Sequence, residues 1–172
     1  AQEWATSGEG ALSIVIELQR LVESLLAIAR DAPRELVREE VAPLAAFEEA
    51  WSSAREIADA RGVTIELGGD RDVRLTTDPT LLRRIAANVL ENAAQYADSS
   101  SVVRVSVEAT AHGVELRIEN AASDAPPEVA ERAFEPFWRA DRARGGLRRN
   151  AGLGLALCER LATELGGSID AE

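Results

Sequence analysis

"NVLENAAQYA", residues 88–97, lies in a segment that otherwise has the periodicity of a buried helix. "TDP" (77–79) opens that helix: Thr77 or Asp78 can cap it, and Pro79 suits its first turn. On an ideal wheel, Ile85, Val89 and Ala93 fall about 40°, 80° and 120° from Leu81, with Leu82, Ala86 and Leu90 at about 100°, 140° and 180°. Asn92 falls at about 20° and Asn88 at about 340°, on the edge of this apolar arc, with Tyr96 one turn further along the same row. A buried amide without a partner costs about 1–3 kcal/mol. A single Asn there would ordinarily satisfy a backbone group at a packing edge. Two amides and a phenol in one row point instead to an external polar partner.

The flanking segments supply the rest of the fold. After the helix comes a hairpin: Val103, Val105 and Val107 alternate with polar residues, as do Val114, Leu116 and Ile118, around an "AHG" turn at 111–113. Asn120 has the parity of the second apolar set and continues it past the strand end. Its carboxamide offers a donor and an acceptor, which suits a base carrying an amino group beside a ring nitrogen. An Asn that simply ends a strand is an equally good reading of that feature alone. Before the helix, the sequence predicts a short strand near 36–38, a helix over 43–61 stopped by Gly62, and strands at 63–67 and 73–76. A last helix over 153–165 and an incipient strand "GSIDA" (167–171) follow. Mixed helices and antiparallel strands imply an α+β class with a two-layer α/β sandwich.

The N-terminal part reads differently. In "ALSIVIELQRLVESLLAIAR" (11–30), Val15, Leu18, Val22, Leu25 and Ala29 repeat at coiled-coil spacing, and Ile14, Leu21 and Ile28 widen the stripe. Such a helix, ending at the "DAPRE" turn, suits pairing with a second helix, including one from another subunit.

Composition narrows the function. The chain has 172 residues, a net charge of −11 and no Lys among its 19 basic residues. An acidic body argues against general binding to nucleic acid or anionic membranes. Five arginines (Arg139, Arg142, Arg144, Arg148 and Arg149) nevertheless gather in one loop punctuated by Gly145, Gly146, Gly152 and Gly154. Glycines leading into a helix expose N–H groups to an anion, and Arg adds bidentate phosphate contacts. Cys158 has no partner for a disulfide, which fits a reducing compartment, and no run approaches a membrane span. Met is absent, even at position 1, so the chain reads as a piece of a longer or processed protein.

Taken together, these motifs resemble the ATP-binding catalytic domain of sensor histidine kinases, in the GHKL ATPase superfamily. "LLRRIAANVLENAAQYA" is similar to the asparagine box and "AFEPFWRADRAR" to the phenylalanine box. "GLGLALCERLATELGGSI" is similar to the second glycine box, and "LQRLVESLLAIAR" to the second helix of the dimerisation and phosphotransfer hairpin. The resemblance implies a Bergerat-type ATP-binding fold over 34–172, lacking its final strands, preceded by that hairpin helix at 1–33. It implies ATP and Mg²⁺ as cofactors, with Asn92 as metal ligand, Asn88, Asn92 and Arg139 in the catalytic set, and Asn88 and Arg139 at the phosphates. Tyr96, Asn120, Phe137, Gly152, Leu153 and Gly154 would line the nucleotide site, and Phe134 and Phe137 would anchor a lid over 139–151.

Four departures stand out. Asn120 occupies the place of the family's adenine-reading Asp, with Ala122 and Asp124 where glycines are usual. Gln95 replaces a common Lys. The chain stops before the family's last strands. His112, the only histidine, sits in a hairpin turn, so the phosphoacceptor would lie on a helix outside this chain. Where relatives that hydrolyse ATP have a Glu one turn before the metal Asn, this sequence has Asn88, which is no general base. The wheel sets Glu91 about 80° away from it. The implied function is transfer of the ATP γ-phosphoryl to that histidine and on to the receiver domain of a response regulator. The implied setting is a homodimer through the N-terminal helix, in the cytoplasmic part of a protein anchored in the bacterial inner membrane by segments outside this chain. The alternative is a degenerate nucleotide-binding or scaffolding module without kinase activity.

Overall fold

The computed structural model describes residues 14–15, 18–19, 21–29, 34–139 and 151–172. Helix α1 is helical at 14–15, 18–19 and 21–28. Then follow β1 (Glu39–Val41), α2 (Pro43–Arg61), β2 (Thr64–Gly69), β3 (Leu75–Thr77), α3 (Pro79–Tyr96), β4 (Val102–Thr110), β5 (Gly113–Glu119), α4 (Val129–Arg132) and α5 (Gly154–Leu165). β2 pairs parallel with β4, and β4 pairs antiparallel with β5. β1 and β3 form a separate antiparallel pair. The class is α+β, with helices on one face of the larger sheet.

Alternation in the hairpin decides which face is covered. Val103, Val105 and Val107 of β4 are buried under Phe47, Trp51 and Ala54 of α2 and Leu82, Ala86 and Leu90 of α3. The opposite face is exposed and charged, with Arg104–Glu66 and Arg117–Glu115 ion pairs, each at 3.0 Å. α3 is the centre of the molecule. Its Leu81 and Ile85 turn away from the sheet and join Leu157, Cys158 and Leu161 of α5 in a second apolar cluster. The wheel put both sets of α3 residues on one broad arc; the fold divides that arc between two cores.

The start of α3 is held firmly. Asp78, 2% exposed, caps it by accepting from the N–H groups of Thr80 at 2.9 Å and Leu81 at 3.1 Å. Its second oxygen accepts from the N–H of Val37 at 3.2 Å. That bond draws 36–38 toward the α3 start, and the strand predicted there lies at Glu39–Val41 instead. The strand predicted from Val63 starts at Thr64, because the Val63 N–H closes the end of α2 on Ala58 O at 2.9 Å. It runs on through Gly69, whose φ of +92° and near-contact with β4 exclude a side chain: a Cβ there would lie 2.2 Å from Val107 O. The strand expected at 73–76 is Leu75–Thr77. The expected strand at 167–171 does not form. Gly166, at φ +87°, closes α5, and Ile169 packs onto the α3–α5 cluster instead of joining a ladder.

In α1, Ile14, Val15, Leu18, Val22 and Leu26 are 47–64% exposed, while Ala27 and Ile28 pack against the α3–α5 cluster. Residues 11–13, 16–17, 20 and 30 of the predicted helix lie outside the described residues. No helix among the described residues is long and apolar enough to cross a membrane.

Cys158 is fully buried, and burial pushes its thiol up to about 12, against a slight pull downward from Arg84. Thiolate is the reactive form. Alkylation of the native protein at pH 8 is therefore expected to be at least about 100-fold slower than in urea. Equal rates would show that the α3–α5 seam is open in solution.

Candidate functional site

A cavity of about 390 Å³ opens beside the third side of α3, the side used by neither core. Its wall carries Asn88, Asn92 and Tyr96, the row seen in the sequence. At 1.5 Å rise per residue, the eight positions from Asn88 to Tyr96 run about 12 Å along the helix. The site is therefore an elongated trough rather than a point.

One end of the trough is the N-terminus of α5. Leu153 precedes this helix without a side-chain cap, so its first N–H groups remain available to an anion. Gly154 lies against Asn88: a Cβ there would be 3.3 Å from Asn88 Oδ1. The Asn88 amide donates to Arg84 O at 2.8 Å, which leaves Oδ1 facing this end. Gly152, at φ +74°, lets the chain pass Trp138; a Cβ would come within 2.7 Å of Trp138 O. Phe137 N–H donates to Gly152 O at 2.8 Å, tying the two ends of the 139–151 segment together. Arg139 reaches the cavity, and its buried Nε–H has no partner among the described residues. The rest of the predicted arginine lid, 140–150, lies outside the described residues.

Asn120 stands at the other end, half-buried, just past the end of β5. The side chains of Asn92, Tyr96 and Asn120 have no hydrogen-bond partner among the described residues. Free polar groups of this kind, converging on one cavity, are what a polar ligand satisfies. Such a set fits a nucleotide: hard amide oxygens suit a metal beside phosphates, and a helix N-terminus suits the phosphates themselves.

Known proteins give the same fold and the same sequence signature. Residues 77–172, more than half the chain, match the signature of the histidine kinase-, DNA gyrase B- and HSP90-like ATPases. The chain belongs to that ATPase family. Sensor protein SrrB of Staphylococcus aureus (strain MRSA252) is 30% identical over 166 residues, 93% of this chain and 28% of that protein. Sensor histidine kinase CusS of Escherichia coli is 27% identical over 160 residues, 92% of this chain and 33% of that protein. The chain thus spans about a third or less of these curated relatives. Among solved structures, the histidine kinase AdeS of Acinetobacter baumannii superimposes with a TM-score of 0.78 at 21% identity, over 95% of this chain and 76% of that one. Full-length ShkA in complex with AMPPNP gives a TM-score of 0.78 at 25% identity, over 95% of this chain and 35% of that one. The nucleotide served by an ATPase domain of this family is ATP.

Within the ATPase domain, two residues expected at the site are placed elsewhere. Leu153 is 4% exposed and belongs to the core, because the turn into α5 points it inward. Phe137, at φ +66°, is turned out of the cavity and is 58% exposed; Trp138 takes its place on the wall. Arg132 stacks 5.5 Å over the Trp138 ring and pairs with Glu135 at 2.8 Å, bracing that stretch. Glu91 also reaches the cavity wall, although the wheel set it apart from the Asn88 row, and it is engaged in an interaction of its own.

Arg61 and Asp98 are the residues that sequence reasoning missed. Asp98 accepts from Ser123 at both its N–H (3.0 Å) and its hydroxyl (2.5 Å), which fastens the 120–125 loop to the end of α3. Those Ser123 bonds, the hydroxyl first, hold the Asp98 carboxyl below its usual value. Arg61 donates to Ala97 O at 2.6 Å, yet its buried Nε–H has no partner among the described residues. No local pattern could join positions 25 or more residues apart. For Trp138, the "FEPFW" cluster was the available signal.

Proposed function

We propose that this domain binds ATP with Mg²⁺ and passes the γ-phosphoryl to a histidine on a helix outside this chain, for relay to the receiver domain of a response regulator. One observation carries the reading: Asn92, Tyr96 and Asn120 converge without partners on a trough that ends at the uncapped N-terminus of α5. Asn88, Gly152, Gly154 and Arg139 would hold the triphosphate at that end, with Tyr96 and Asn120 toward the base. Asn92 would hold Mg²⁺ with the phosphates and water, and the cation would neutralise charge on the transferring group. Asn88 cannot take a proton from water, so hydrolysis is slow relative to transfer. Catalysis rests on positioning, as elsewhere in phosphoryl transfer.

The sensor-protein and histidine-kinase names of the relatives support this reading, as does the AMPPNP bound by ShkA. The exposed stripe of α1 suits a homodimer through a helical bundle. Cytoplasmic placement, in a protein whose other segments reach the bacterial inner membrane, goes with the same assignment.

The test is incubation with labelled ATP, Mg²⁺ and the His-bearing hairpin of the same protein. Label is expected on the hairpin and none on this chain alone. Nucleotide binding without any transfer would overturn the kinase reading and leave a binding module.

A further inference from the structure

The end of the trough opposite α5 has the chemistry to read a purine, and its reader is a carboxamide. Asn120 presents an unpartnered amide to the cavity. An amide carries an acceptor and two donors, and rotation about its last bond exchanges them. Turned one way, its oxygen accepts from the amino group of adenine while its NH₂ donates to the adjacent ring nitrogen. Turned the other way, its NH₂ donates to O6 of guanine while its oxygen accepts from the neighbouring ring N–H. A carboxylate cannot do the second, because both of its oxygens repel O6.

The nearby carboxylate is tied to the loop. Asp98 faces the same cavity, with each of its oxygens accepting from Ser123. Beside it is a donor, not an acceptor. Arg61 is bonded to Ala97, the residue before Asp98, and lines the same cavity with a buried Nε–H that has no partner among the described residues. Along the 6,7 edge guanine offers O6 and N7 as acceptors and adenine offers N1 and N7, so a free donor there does not reject guanine. Asn120 and Arg61 thus accommodate guanine as well as adenine.

We infer that this site accepts guanine nucleotides as well as adenine nucleotides, with the Asn120 carboxamide as the ambivalent reader. The inference rests on the nucleotide-binding reading above. A site built to hydrogen-bond one partner rejects an analogue lacking the matching group by several powers of ten. Here that rejection is absent.

The experiment displaces a fluorescent ATP analogue from this chain with ATP and with GTP, in Mg²⁺, for the native sequence and for Asn120→Asp. The native chain is expected to bind ATP and GTP within about tenfold of each other, and the variant to disfavour GTP by a further tenfold or more. A native preference for ATP beyond about tenfold overturns the inference and leaves the proposed function standing. Equal binding of both nucleotides that Asn120→Asp does not alter overturns the assignment to Asn120. Failure to bind either nucleotide overturns the proposed function and this inference with it.

Discussion

Asn92→Ala is expected to lower Mg²⁺-supported ATP affinity by on the order of 30-fold, about 2 kcal/mol, and to leave Mg²⁺-free affinity within about twofold of the native value. The asymmetry follows from the site. The Asn92 side chain has no partner among the described residues, so its removal breaks no internal hydrogen bond. A role in packing alone would show in the melting temperature, which is expected to move by no more than a few degrees. Calorimetric titrations with Mg²⁺ and with EDTA, together with a thermal melt, separate these effects. An identical affinity loss under both conditions would mean that Asn92 touches the nucleotide directly. No loss under either would remove it from the site.

The second large effect concerns stability. Asp78→Ala removes the cap of α3 and leaves the Val37 N–H without its acceptor. A lost cap costs about 1–2 kcal/mol and an orphaned donor about 1–3 kcal/mol, so a total of about 2–5 kcal/mol is expected. For a chain of this size that corresponds to a midpoint drop of about 4–20 °C. The pH dependence identifies the cause. Burial alone would raise the Asp78 carboxyl, but the N–H groups of Leu81, Val37 and Thr80 outweigh it, with help from Arg34, and hold the carboxyl below its ordinary value. A depressed carboxyl stabilises the fold fully above its unfolded value of about 3.9, and that stabilisation fades as pH falls through the lower folded value. Native and variant proteins should therefore differ most near neutrality, and the gap should narrow on acidification below about pH 4. Urea midpoints at pH 7 and pH 3 would decide. A gap that stays constant across that range would assign the loss to packing.

The consequence reaches the site, because α3 carries it. Asp78 fixes where the helix begins. From that point, 3.6-residue periodicity sets the direction of Asn88, Asn92 and Tyr96. The same helix supplies both cores, so a shift at its start would misplace the row and the packing together.

Local rules made part of this legible. The helix over 79–96 and a cap at Thr77 or Asp78 could be read directly, as could the alternation in β4 and β5 and the shared direction of the Asn row. Each depends on residues within a few positions of one another. The same rules misplaced the strand near 36–38 and set the start of the 63–67 strand one residue early, where long-range or capping bonds claimed the N–H groups of Val37 and Val63. Leu153 and Phe137, which the family resemblance put at the nucleotide, lie off the cavity wall, where one turn of backbone exchanged inside for outside.

The amino-acid sequence by itself determined the type of most elements, the acidic, lysine-free surface and the polar row set into an apolar helix. These are written in periods of two and 3.6 residues. Only the tertiary structure decided that α3 divides its apolar arc between two cores, that Asp98 clasps Ser123, and that Arg61 and Trp138 stand on the wall of the trough. Such contacts join chain segments far apart, and their partners are chosen by how whole helices and the sheet pack together, which no short window of residues records.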